Sequence, residues 1–145
     1  MFKHILIASD GSELSMKAVD QGLDLAKLSG AKVTAITVSE PWISEAPMDM
    51  AVIFPADDYE KAVAENASKL LAHISGKAQT VGVSCTYIHV KDQFAAEGIV
   101  EAARAHGCDL IVMSSHGRRG LSRLILGSQA HRVLSLSEIP VLVCR

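Results

Sequence analysis

The densest concentration of groups able to do chemistry lies between Met113 and Gln129. It reads Met113-Ser114-Ser115-His116-Gly117-Arg118-Arg119-Gly120, then Leu121-Ser122-Arg123-Leu124-Ile125-Leu126-Gly127-Ser128-Gln129. Glycines let a backbone turn sharply and approach a ligand closely. Amides at the start of a helix favour anions such as phosphate, and Gly127, Ser128 and Gln129 are predicted to offer them. Ser128 adds a hydroxyl. Arg118, Arg119 and Arg123 put cations into one stretch of a chain whose net charge is -2. These residue types suit a polyphosphate cradle. An ordinary glycine-rich turn with a solvated basic face would share the same composition. His116 sits in this stretch, where a hydrogen-bonding or packing role is the expectation ahead of acid–base catalysis.

The elements that must position these groups are legible as an alternation. His4 to Ala8 is a short apolar run that stops at Ser9-Asp10-Gly11-Ser12, which reads as strand, turn and helix N-cap. Asp10 suits an Asx-turn there. Helical spacing follows from Glu13 to Leu28, and Gly30 is placed to close that helix. Lys32 to Val38 reads as a second strand. Glu40 to Ala56 holds Pro41, Pro47 and Pro55 and predicts a long loop. Asp57 is placed to cap a long helix with Val63, Ala67, Leu70, Leu71, Ile74 and Ala78 on one face, ended by Gly82. Ser84 to Val90 reads as strand three. Phe94 to His106 reads as a helix closed by Gly107, and Asp109 to Met113 as strand four. Gly127-Ser128 opens a last helix with Val133 and Leu134 inward, and Pro140 to Cys144 is strand five.

Apolar strands alternating with amphipathic helices predict a parallel sheet covered on both faces, wound by right-handed crossovers. Ligands in such α/β folds sit beyond the carboxyl ends of the strands. The segments to read for chemistry are therefore Ala8–Ser12, Val38–Trp42, His89–Gln93 and Met113–Gln129.

The chain has 145 residues, 49% hydrophobic and 21% charged, which suits one globular domain. Aromatics are 4%, too few for a base-stacking surface, and the charge balance carries no footprint for nucleic acid or an anionic membrane. No stretch approaches the roughly 18 apolar residues of a membrane span. Cys85, Cys108 and Cys144 lack metal-ligand spacing and are expected to be reduced, mostly buried thiols of a cytoplasmic protein. A Gly-x4-Gly-Lys-Ser/Thr loop and a Gly-x-Gly-x-x-Gly turn are both missing. A phospho-acceptor receiver is set aside as well. Its acidic cluster is lacking, with Asp10 alone at its strand end and Asp92 beyond strand three, and no lysine follows strand five.

Spacing adds a further signal. Ser114-x2-Gly117-x9-Gly127-Ser128 resembles the ATP-binding signature of the universal stress protein family, Gly-x2-Gly-x9-Gly-Ser/Thr. Ile5 to Ser12 resembles that family's opening strand and turn. Ser115 to Gly120 and Pro140-Val141-Leu142-Val143 resemble its last third, so the likeness spans essentially the whole chain. It implies an adenine nucleotide α-hydrolase-like fold with strand order 3-2-1-4-5, and ATP with Mg²⁺ as ligand. It places the adenosine near Asp10 and Val38, with the backbone of Val38 at the adenine edge and the small Ala8 leaving room. The phosphates would lie over Gly117, Gly127, Ser128 and Gln129, with Met113, Ser114, His116, Arg118 and Arg119 around them. It also implies a homodimer through strand five, whose Val141, Leu142 and Val143 form an uncharged sheet edge.

Ser114 departs from the signature's first glycine. A left-handed backbone there would cost serine roughly 1 kcal/mol or more; a position that only needs a small residue would accept it. Two classes of function follow from the resemblance: a nucleotide-dependent stress-response or signalling module, and a slow ATPase or nucleotide-transfer enzyme; a family member that does not bind nucleotide is the further alternative. No evident general base stands beside the phosphates, nor an acidic pair to hold two metals, which favours the module.

Overall fold

A computed structural model describes residues 1–41, 56–118 and 125–145. Arg119, Arg123, Trp42 and most of the predicted loop between Glu40 and Ala56 lie outside the described residues. Five strands form one parallel sheet in the order β3-β2-β1-β4-β5. They are β1 (His4–Ala8), β2 (Lys32–Ser39), β3 (Cys85–Lys91), β4 (Leu110–Ser114) and β5 (Val141–Cys144). Among the described residues four helices, α1 (Glu13–Ser29), α2 (Ala56–Val81), α3 (Ala95–Ala105) and α4 (Ser128–Leu136), connect them.

The apolar runs of β1 and β4 are buried along their whole length, as strands covered on both faces must be. Side chains alternate between faces. Ile5, Ile7, Val33, Ala35 and Val112 meet α1 and α2 on one side. Leu6, Ala8, Ile36, Ile111 and Met113 meet α3 and α4 on the other.

Helix ends follow the predicted signals closely. Ser12 caps α1, its hydroxyl accepting the Ser15 amide at 3.3 Å. Gly30, Gly82 and Gly107 all have positive φ just past α1, α2 and α3. Two expectations need correction. Helix α2 already includes Ala56, so Asp57 lies in its first turn beside Asp58 instead of capping it; both carboxylates still favour the positive end of the helix dipole. Leu134 is 44% exposed while Val133 is fully buried, because one residue along a helix turns the side chain by about 100°.

A polar row crosses the second face near the amino ends of the strands. His4 Nε2 and Thr34 Oγ1 share a hydrogen bond at 2.8 Å, and Thr34 and Thr86 hydroxyls share one at 3.0 Å. Burial first, then the nearby Lys32 cation, push the His4 imidazole below the ordinary value of 6.5, with Asp109 pulling the other way. The three cysteines are free thiols, with Cys108 and Cys144 buried and Cys85 half-buried. Burial raises all three, and Cys108, with Asp109 adding to the effect, is pushed up to about 11.

Candidate functional site

A cavity of about 640 Å³ opens beyond the carboxyl ends of β1, β2 and β4. Of the predicted site residues, Ala8, Asp10, Val38, Met113, Ser114, His116, Gly117, Arg118, Gly127, Ser128 and Gln129 all line it. Such a cavity is expected where the strand order changes direction, here between β1 and β4. An open groove of about 710 Å³ between α1 and α2 holds none of these residues and is crossed by a Lys77–Asp20 ion pair at 2.7 Å.

Strand lengths create one end of the cavity. Strand β1 pairs with β2 only as far as Ala8 and Ile36, while β2 runs on to Ser39 beside β3. The Ile36 carbonyl accepts the Ser9 amide at 3.0 Å, so it faces β1. Backbone groups alternate sides along a strand. The N–H and C=O of Val38 therefore face the same way as those of Ile36, into the space where β1 has stopped.

Asp10 ties two loops together. Its Oδ1 accepts the Ser12 amide at 2.9 Å, the predicted Asx-turn, and its Oδ2 accepts the Arg118 amide at 2.8 Å. Burial works to raise its pKa, but hydrogen bonds from Ser12, Arg118 and Ser15 outweigh it and hold the carboxyl below the usual range. The Arg118 guanidinium lies on this turn: an added Cβ on Gly11, at φ +82, would stand 3.1 Å from it.

The exit of β4 builds the opposite end. Ser114 is a buried strand residue in register with Cys144, and its hydroxyl donates to the His116 carbonyl at 2.8 Å. Among the described non-glycine residues only Asp92 has a positive φ. Position 114 therefore needs a small residue and not a left-handed one, and serine satisfies it. His116 Nδ1 and the Ser115 hydroxyl share a hydrogen bond at 3.0 Å.

Gly127 N–H donates to the Ser115 carbonyl at 2.9 Å. That corrects the expectation that this amide is offered to an anion. The amides left without a carbonyl inside the helix are those of the first turn of α4, from Ser128, Gln129 and Ala130. Gly127 occupies the N-cap and has no side chain to satisfy them, and no acid lies in that turn. The chain needs glycine here because an added Cβ would fall 2.4 Å from the Ser115 carbonyl oxygen.

Motif reading missed the wall contributed by α2, where Tyr59, Val63, Ala67 and Leu70 face the cavity. The signal was present in the helix's apolar spacing, but it pointed equally to ordinary core. Thr37 and Ser39 were missed as well.

A parallel five-stranded sheet with, among the described residues, two helices on each face, and a helix N-terminus opening on its central cleft, defines a doubly wound, Rossmann-like α/β protein. A family model described as the universal stress protein family matches residues 1–145, and the chain belongs to that family. Universal stress protein YxiE of Bacillus subtilis (strain 168) is 34% identical over 149 aligned positions, covering 100% of both chains. The solved structure of hypothetical protein MJ0577 superposes with a TM-score of 0.81 at 29% identity, over 99% of this chain and 96% of that one. A universal stress protein solved in complex with cAMP has the same fold, with a TM-score of 0.74 at 23% identity over 99% and 97% of the two chains.

Proposed function

We propose that the cavity binds an adenine nucleotide, ATP with Mg²⁺, and that the chain acts as a nucleotide-dependent stress-response module. The observation that carries this reading is the pairing of two unlike ends in one cavity. One end offers the first-turn amides of α4, without a side-chain cap, for phosphate oxygens. The other offers the backbone donor and acceptor of Val38 for a base edge. Apolar walls from Ile36, Val63, Leu70 and Ile99 lie between them. A volume of about 640 Å³ falls within the roughly 300–1,000 Å³ of small-molecule sites. The cAMP complex is a precedent at the level of the fold.

In this reading each residue takes a definite role. Asp10 holds both loops through its amide contacts and lines the cavity, where its carboxylate can accept a ribose hydroxyl. Ser128 adds its hydroxyl to the amides of its own turn. Ala8 and Met113 keep the cavity floor small and apolar, and His116 and Arg118 flank it. Bound Mg²⁺ would neutralise phosphate charge. Among the described residues no three His, Cys, Asp or Glu side chains gather to hold a metal, which fits an ion carried on the phosphates and their waters.

The cellular form we propose is a cytoplasmic homodimer joined through β5. Among the described residues that strand is a sheet edge with β4 as its one neighbour, and Leu142 on it is 39% exposed. Unpaired backbone groups on an apolar edge suit antiparallel pairing with a second copy about a two-fold axis.

Isothermal calorimetry with Mg²⁺ and ATP tests the nucleotide reading, together with the ultraviolet spectrum and mass of anything released when the purified protein is denatured. Saturable binding that disappears in Gly127→Val supports it, since the added Cβ collides with a backbone carbonyl and moves the α4 N-terminus. Absence of binding by the natural chain rejects it.

A further inference from the structure

A polar strip inside the cavity has no role in that reading. Val33 and Ala35 of β2 face α1 and α2, so Thr37 and Ser39 point to the same side. Both line the cavity. Thr37 is only 7% exposed, and its hydroxyl has no hydrogen-bond partner among the described residues. That hydroxyl is not sealed in the interior; it opens onto the cavity, where a ligand can reach it.

The neighbouring strand supports the second hydroxyl. His89 of β3 is in register with Thr37, and its Nε2 shares a hydrogen bond of 2.6 Å with Ser39 Oγ. Ser39 is the last residue of β2, where a side chain would otherwise be free to rotate. The half-buried imidazole behind it removes that freedom. Across the cavity, Val63 and Leu70 of α2 form an apolar wall against which a flat ring can lie.

We propose that Thr37 and Ser39 form a second hydrogen-bonding subsite for the base of a purine nucleotide, with His89 as the residue that positions the Ser39 hydroxyl. It rests on the nucleotide reading of this cavity. The Val38 backbone meets the ligand in the plane of the sheet, whereas the two hydroxyls flank it from the α2 side. A purine carries ring nitrogens beyond the edge that Val38 would engage, and these are the acceptors that two hydroxyls can serve. Base recognition then comes from three consecutive residues, one by its main chain and two by their side chains.

Calorimetry with ATP and with inorganic tripolyphosphate, which has no base, separates this subsite from the phosphate end. Ser39→Ala and Thr37→Val should each weaken ATP by roughly 3- to 10-fold, the loss of one hydrogen bond, and leave tripolyphosphate unchanged. Thr37→Ser keeps the hydroxyl and should keep ATP affinity. His89→Ala should weaken ATP as Ser39→Ala does, the double variant should be no worse than either single one, and His89→Gln should recover most of the loss. Unchanged ATP affinity in Ser39→Ala and Thr37→Val, equal losses for tripolyphosphate, or additive losses in the double variant would overturn the subsite while leaving the nucleotide reading intact. A natural chain that binds tripolyphosphate but not ATP, or neither, would overturn both.

Discussion

The Asp10 carboxylate accepts the main-chain amide of Arg118 at 2.8 Å, across 108 residues of sequence. Its other oxygen holds the Ser12 amide at 2.9 Å. One side chain thus fixes the turn after β1 to the loop after β4. Gly117 belongs to the same contact, since an added Cβ there would lie 2.4 Å from Asp10 Oδ2.

Gly117→Ala should therefore displace the carboxylate and release the loop that leads to α4. We expect ATP affinity to fall by at least about tenfold, roughly 1.4 kcal/mol, while circular dichroism keeps the signature of the folded sheet and helices. Equal affinity in the two proteins would show that the site does not depend on this tie.

Ser114→Gly restores the residue type of the family signature at a strand position that needs no left-handed backbone. Nucleotide affinity should stay within about tenfold. The stability lost with the hydrogen bond to the His116 carbonyl should be about 0.5–1.5 kcal/mol, read from urea unfolding. A large gain in affinity would mean that serine cripples the site.

The proposed dimer has a position-specific test. The Pro140 and Cys144 carbonyls accept amides of Ile111 and Ser115, so even-numbered residues of β5 face β4 and the backbone groups of Val141 and Val143 face outward. Val143→Pro deletes an outward donor and should yield monomers in light scattering at micromolar concentration. Leu142→Pro instead strips a bond from the sheet itself and should lower stability. A dimer that survives Val143→Pro would place the interface elsewhere.

His4 predicts a pH dependence. Its folded pKa lies below the ordinary value of 6.5, so in mild acid the unfolded chain binds the proton more readily than the folded one. Stability should be fully present above pH 6.5, decline as the pH falls below it, and stop responding to His4 beneath the folded pKa. His4→Gln should flatten this part of the urea midpoint profile. An identical slope in both proteins would exclude His4 as its source.

Strands and helices were readable because their signals are local. Ile5 to Ala8 announces a strand buried on both faces, and Ser12 and Gly30 mark where α1 starts and stops. The strand order came with the family resemblance, not with the apolar pattern. What stayed hidden depends on distant backbones approaching each other. Whether Ser114 could stand for glycine turned on its register with Cys144. The Gly127 amide is consumed by Ser115, twelve positions earlier by number, which composition cannot show. Val63 and Leu70 read as core because a cavity wall and a core use the same side chains. Ser39 and His89 become neighbours only once β2 and β3 are paired.

Cys108 and Cys144 lie behind helices, 6% and 3% exposed. With Cys108 raised to about 11, roughly one molecule in ten thousand carries it as the reactive thiolate at neutral pH. Cys144 is shifted the same way. During an oxidant pulse these sulfurs would stay protonated and out of reach, so they are poorly suited to report peroxide. Cys85 is more accessible, half-buried on the edge strand, yet burial suppresses its ionisation too. A protein built this way would keep these sulfurs reduced through oxidative injury, which leaves the proposed nucleotide in the cleft, and not thiol chemistry, as the means of registering the cell's condition.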